Sequence, residues 1–299
     1  MKAIDYNTIT EVVLDQMATT PDPRLKQIME SLVRHLHDFA RDVDLTPDEW
    51  IKGIEFLTAV GKMCTPARQE FILLSDTLGL SSLVNKLHDK RALESGTRTS
   101  LLGPFYRNDS PNLQLGDSMT DTASGKEIVL FGTVTDIAGT PIPNASVEIW
   151  QTDEEGIYDM QRDENKIDMR GHFYTGSDGV YYCRAVTPLG YTIPMDGPVG
   201  GMVSAQHRHG YRPAHIHFLV GAEGYRELVT ALYLADDDHI DSDTVFGVTE
   251  SLITSVREDN EKCPIPDLPS IEFNLQLAAA TAADRSGRVG ADPKEIVKE

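Results

Sequence analysis

The hydrophobic pattern of this chain changes period near residue 100, and that change constrains the fold more than any single motif does. Before it, apolar positions step by three and four. Leu25, Ile28, Leu32, Leu36 and Phe39 share one face of a helix. Thr46-Pro47-Asp48-Glu49 is a helix start: Thr46 caps, Pro47 suits the first helical position, and Glu49 closes a capping box. Trp50, Ile54 and Leu57 then line one face. Thr65-Pro66 repeats the cap-plus-proline signal ahead of Phe71, Leu74 and Leu78, and Gly79 ends or interrupts that helix. Nothing here has catalytic spacing. Residues 1–100 read as a helical N-terminal domain for packing or dimerisation.

After Leu102-Gly103-Pro104-Phe105 the period becomes that of strands. Short β-type runs occupy 128–135, 145–150, 180–186, 216–220 and 228–234, separated by Gly139, Pro141, Asp178-Gly179 and Asp196-Gly197-Pro198. Val147 and Ile149 alternate with Ser146 and Glu148, as on a half-buried strand. Many short strands with long loops predict an antiparallel β-sandwich over residues 101–277, so the fold class is α+β. Residues 278–299 carry no aromatics and balanced charge, and read as a mobile C-terminal tail.

Charge excludes several partners. With 27 Lys+Arg against 47 Asp+Glu the formal charge is −20, which repels nucleic acid and anionic membranes. No apolar run reaches the ~18 residues of a membrane span, and the N-terminus lacks the apolar core of a signal peptide. Cys64, Cys183 and Cys263 are odd in number and far apart. They fit small apolar packing residues in a reduced, cytoplasmic protein.

The chemistry concentrates near residue 215. His215-Ile216-His217 lies in a strand-like run, where residues i and i+2 share a face. Both imidazoles are thus able to reach one metal. The pair His35/His37 sits on a helix, where i and i+2 diverge, and His207/His209 lies in a polar loop. No cysteine is close in sequence, but two loops offer tyrosine: Tyr158 and Tyr191. Phenolate is a hard oxygen ligand suited to ferric iron. The residues alone leave three readings open: an iron enzyme, a zinc hydrolase completed by Asp159 or Asp196, and a metal-free carbohydrate-binding or transthyretin-like sandwich.

The order of motifs resembles the intradiol aromatic-ring dioxygenases. The resemblance rests on residues 102–106, 132–136, 143–150, 156–159, 190–198 and Arg212-Pro213-Ala214-His215-Ile216-His217-Phe218. Residues 73–76, 153–159, 197–200 and 241–247 resemble the hydroxyquinol 1,2-dioxygenase branch most, with catechol 1,2-dioxygenases the nearest alternative. One departure stands out: Ala231 occupies the position at which catechol dioxygenases place a glutamine.

The resemblance implies a non-haem Fe(III), one per chain, held by Tyr158, Tyr191, His215 and His217. Tyr191 and His217 match the axial pair, and Tyr158 and His215 the equatorial one. Arg212 matches an arginine facing the substrate, and Tyr191 a base that leaves the metal. The implied substrate is an aromatic diol or triol cleaved with O2. Its pocket would be lined by Leu73, Asp76, Leu102, Gly103, Tyr106, Ile193, Pro194, Arg212 and Val245. The same resemblance implies a homodimer through the helical domain, enclosing a phospholipid.

Overall fold

A computed structural model describes residues 4–280 apart from 66–67, 92–95, 122–124 and 164. The Pro66 helix signal and residues 281–299 of the expected tail lie outside these described residues.

The backbone forms two compact units, Met1–Ala59 and Val60–Glu299. The first holds α1 (Ile9–Gln16), α2 (Pro23–Asp42) and most of α3 (Pro47–Met63). Asp22 caps α2 by accepting from the Arg24 and Leu25 amides at 2.8 and 3.2 Å, with Pro23 at the first helical position. The expected capping box of α3 is present. Thr46 N donates to Glu49 Oε2 at 3.0 Å, and Glu49 N to Thr46 Oγ1 at 3.3 Å. His37 lies 3.0 Å from Thr10 on α1 and so serves helix packing. The apolar stripe of α2 stays uncovered: Leu25, Ile28, Leu32, Leu36 and Phe39 are each 45–54% exposed.

In the second unit, α4 (Glu70–Thr77) and α5 (Leu80–Arg91) follow one another. Gly79, at φ +75°, makes the turn between them. The strands and remaining helices are β1 (Glu127–Asp136), β2 (Ser146–Gln151), α6 (Asp159–Arg162), β3 (Arg170–Tyr174), β4 (Val180–Val186), β5 (Tyr191–Thr192), α7 (Pro198–Ala205), β6 (Tyr211–Arg212), β7 (His215–Gly221), β8 (Leu228–Leu234), β9 (Ile253–Thr254), β10 (Ser270–Glu272) and β11 (Leu275–Leu277). The five expected strands are β1, β2, β4, β7 and β8.

Two sheets face each other. One orders β10-β1-β11 with β4 also paired to β1; the other orders β3-β2-β7-β8-β9. The main ladders are antiparallel, while β9, β10 and β11 join their neighbours in parallel. Ile128 and Leu130 of β1, Val147 and Ile149 of β2, Cys183 of β4 and Ile216, Phe218 and Val220 of β7 fill the space between the sheets. Because side chains alternate along a strand, His215 and His217 point the other way, onto the outer face of the five-stranded sheet. Residues 278–280 remain joined to the sandwich: Ala278 O accepts from Arg226 N, and Ala280 N donates to Gly224 O, both at 2.9 Å.

Candidate metal centre and substrate pocket

The outer face of the five-stranded sheet carries a row of aligned residues. Arg170 on β3 is opposite Trp150 on β2, Trp150 opposite His217 on β7, and His217 opposite Ala231 on β8. Trp150 stacks on His217 with ring centroids 4.9 Å apart and planes within 4°. Ala231 offers His217 no polar partner, and His217 Nδ1 is buried without one in hydrogen-bond geometry.

The residues expected to form the metal site converge on this face. His215 and His217 lie 4.8 Å apart, Tyr158 and Tyr191 5.5 Å, Tyr191 and His215 5.5 Å, and Tyr158 and His217 6.4 Å, between ring centroids. All four are buried. Tyr158 is delivered by the loop before α6, whose first turn is tied back by Tyr158 N donating to Gln161 Oε1 at 2.9 Å. Tyr191 is delivered by β5, which pairs with Arg212 on β6.

The protonation geometry of His215 is defined by its neighbours. Nδ1 lies 2.6 Å from the Pro213 carbonyl and so donates to it. That leaves Nε2 as a lone pair facing Tyr158 Oη at 3.4 Å and Arg212 Nη1 at 3.0 Å. A backbone carbonyl orienting the far nitrogen is the usual support of a metal-bound histidine. Burial, then the Arg212 charge, holds His215 well below the ordinary histidine pKa. Burial, then His215 and Arg212, does the same for His217. Both are neutral donors at pH 7. Burial, then Tyr191, pushes the Tyr158 phenol well above its usual value, and a cation among the four rings opposes that shift.

This donor set fits a ferric ion: two phenol oxygens and two neutral imidazoles, with no thiol. Among the described residues no three His, Cys, Asp or Glu side chains are grouped to hold a metal. The carboxylates required by a zinc site are engaged elsewhere. Asp159 pairs with Arg170 at 2.6 Å, and Asp196 with Arg68 at 2.9 Å.

Arg212 stands beside the four rings. Its Nη1 donates to Tyr191 Oη at 3.4 Å, and its Nε to Asp243 Oδ1 at 3.2 Å. Burial works against the guanidinium charge, but the Asp243 carboxylate raises its pKa well above normal. Asp243 is itself fixed by the Val245 and Gly247 amides at 3.3 and 2.9 Å. Tyr233, opposite His215 on β8, is pushed to about 12 by burial and meets Ser100 Oγ at 2.8 Å.

A small cavity of about 10 Å³ lies over Tyr191 and Arg212. Its lining includes the expected Leu73, Asp76, Gly103, Ile193, Pro194, Arg212 and Val245. Leu102 and Tyr106 are not in it; Leu101, Pro104 and Phe105 are. The irregular backbone of residues 101–106 turns Tyr106 away, onto Trp150 at 5.2 Å and toward Glu148. Leu102 lines a neighbouring cavity instead. Asp76 is buried, and burial raises its pKa to about 6 against a lowering hydrogen bond from Ser81. Tyr233, Asp243 and Arg170 carry no sequence signal of their own, and Trp150 only closes the motif 143–150. Asp243 does lie within residues 241–247, and only its pairing with Arg212 marks it.

Comparison with known proteins places the architecture. A family model described as "Dioxygenase" matches residues 101–279, and one described as "Catechol dioxygenase N terminus" matches residues 22–96. The chain is 44% identical over 285 residues to a hydroxyquinol 1,2-dioxygenase of Rhodococcus opacus, covering 92% of this chain and 94% of that protein. A crystal structure of hydroxyquinol 1,2-dioxygenase from Pseudomonas putida superposes with a TM-score of 0.84 at 40% identity, covering 92% of this chain and 99% of the other. Catechol 1,2-dioxygenase of Acinetobacter radioresistens gives a TM-score of 0.82 at 26% identity, covering 97% and 98%. The open choice among iron enzyme, zinc hydrolase and metal-free sandwich thereby closes: the chain belongs to the intradiol ring-cleavage dioxygenases, a family of non-haem iron enzymes.

Proposed function

We propose that this chain opens the ring of hydroxyquinol (1,2,4-trihydroxybenzene) between its adjacent hydroxyl-bearing carbons. Both atoms of O2 enter the product, 3-hydroxy-cis,cis-muconate or its tautomer maleylacetate. The observation that carries the choice of substrate is the buried Asp76 carboxyl in the wall of the pocket, 4% exposed. A third ring hydroxyl donates a hydrogen bond to it beside that of Ser81, whereas catechol offers no such donor. The close kinship with hydroxyquinol enzymes supports the same choice.

Tyr158, Tyr191, His215 and His217 would hold one Fe(III) per chain, which when bound supplies Lewis acidity toward a 1,2-diol. Held as a phenolate, Tyr191 would accept a proton from the diol at its oxygen, the atom to which Arg212 Nη1 donates. Arg212, permanently charged and held by Asp243, stabilises negative charge developing on the ring and its oxygens. Leu73, Phe105, Ile193, Pro194 and Val245 line the cavity beside Tyr191 and Arg212 and would flank the ring there. Oxygen consumption with hydroxyquinol, catechol and protocatechuate side by side tests the assignment. Faster turnover of hydroxyquinol is expected, and equal kcat/KM for catechol would move the chain to the catechol branch.

The chain assembles as a homodimer through its helical unit, with a phospholipid against the helices. The support is the open stripe of α2 together with Trp50, Ile51, Ile54 and Leu57 of α3, all exposed. Apolar patches of this size usually mark an interface. No helix among the described residues is long and apolar enough to cross a membrane. A cytoplasmic setting belongs to the same reading, and Cys64, Cys183 and Cys263 are all free thiols. Native mass spectrometry reads both subunit number and bound lipid; a lipid-free monomer would refute this part.

A further inference from the structure

A second cavity, of about 350 Å³, adjoins the substrate pocket and shares Leu73, Pro104, Phe105 and Pro194 with it. Arg68 and Glu70 lie in its wall, and Arg68 also reaches Asp196. Arg68 Nη1 and Nη2 donate to the two carboxylate oxygens of Asp196 at 3.0 and 2.9 Å, and Arg68 Nε donates to Glu70 Oε2 at 3.0 Å. Glu70 is fully buried, and its Oε1 accepts from Val199 N, in the first turn of α7, at 3.2 Å. Gly197 passes against this pair. A Cβ there would press on Glu70 Oε1 and fall 2.7 Å from Arg68 Nη2, so a larger residue would push the ends of these side chains aside.

These contacts join two walls of the pocket. Glu70 begins α4, the helix that carries Leu73 and Asp76. Asp196 and Gly197 end the loop that carries Ile193 and Pro194. One guanidinium therefore grips both walls. We propose that Arg68 is a positioning residue that clasps the Ile193–Pro194 wall to α4 and so sets the width of the substrate entrance. The proposal rests on the reading of the pocket given above.

The two halves of the clasp differ in strength. Glu70 has no solvent to turn to, so losing Arg68 would strand a buried carboxylate. The Asp196 side chain is 69% exposed, so that half is weakened by salt. The loop half is the one that opens.

Asp196→Ala tests this while leaving the buried pair intact. Amide exchange over residues 192–197 should quicken about fivefold, the effect of one exposed ion pair, with exchange in β2, β7 and β8 unchanged. The KM for hydroxyquinol should rise by the same about fivefold while kcat moves by less than about twofold, and iron content should match wild type. Salt at about 0.5 M should raise the wild-type KM and leave that of the variant unmoved. Arg68→Lys, which keeps the charge but loses the fork, should fall between the two. Unchanged exchange at 192–197 in Asp196→Ala would overturn the clasp, as would a loss confined to kcat. If the wild type opens no diol or triol ring, the functional reading falls instead, and the exchange measurement still decides the clasp.

Discussion

The helical unit and the sandwich treat apolar surface in opposite ways. None of the 20 residues of α2 is buried, whereas all 7 of β8 are. The strand is covered on both faces, by the opposing sheet on one side and by the site's loops on the other. Charge follows the reverse pattern. The sandwich unit buries Arg107, Arg170 and Arg212 beside carboxylates. In the first unit the ion pairs Arg34–Glu11 and Arg41–Asp38 are solvent-facing and contribute little. A hydrophobic period thus marks where an apolar face lies without naming what meets it. Buried, paired charge marks where chemistry is built. On the reading proposed above, the sandwich unit carries turnover and the helical unit carries assembly.

The sharpest way to break that division is to change the four rings. Tyr158→Phe or His215→Ala should lose most iron and the red phenolate-to-iron colour, and with them nearly all turnover. A colourless wild-type protein with stoichiometric zinc and full activity would sink the assignment. Arg212→Ala should keep iron and colour but lower kcat about 10²–10³-fold, the usual cost of one donor aimed at developing charge. Wild-type kcat in that variant would remove Arg212 from the reaction.

Asp76 sharpens the comparison at the level of specificity. Asp76→Ala should shrink the hydroxyquinol-to-catechol ratio of kcat/KM by about tenfold or more, since a buried acceptor that loses one donor costs ~1–3 kcal/mol. Burial raises its pKa from the ordinary carboxylate value to about 6, against a lowering hydrogen bond from Ser81; Arg212 also lowers it and Asp243 raises it. The sign follows from the folded state binding more protons than the unfolded one between pH about 4 and 6. Stability should therefore fall across that window as pH rises, by up to about 3 kcal/mol, and Asp76→Asn should flatten the fall. Chemical denaturation at pH 4, 5, 6 and 7 measures it, and parallel curves for wild type and variant would refute it.

The smallest effect on turnover is expected from the helical unit. Leu32→Asp together with Leu36→Asp should split the proposed dimer, because each places a charge in the stripe of α2, while kcat per iron stays within about twofold. A dimer that survives, seen by sedimentation, would put the interface elsewhere.

The sequence was most legible where local rules suffice. The five long strands, the capping box at Thr46 and the turn at Gly79 each follow from spacing or backbone preference within a few residues. The convergence of Tyr158 and Tyr191 on His215 was legible only through the motif order, because two phenols separated by 33 positions carry no periodic signal. The short edge strands β9, β10 and β11 were illegible, since a two- or three-residue strand exists only by pairing with its neighbour.

What the sequence determined by itself was which faces are apolar and which residues share them: His215 and His217 on one side of β7, and Leu73 and Asp76 on one side of α4. Such facts follow from the fixed periods of helix and strand. What only the tertiary structure decided was which groups meet across long separations. Arg212 gained Asp243, and Trp150 came to lie flat on His217. Leu102 and Tyr106 turned out of the pocket that Leu101 and Phe105 entered. Those pairings depend on strand register and on irregular loop backbone. Both are set by how two sheets and a helix bury their faces together, and no local rule encodes them.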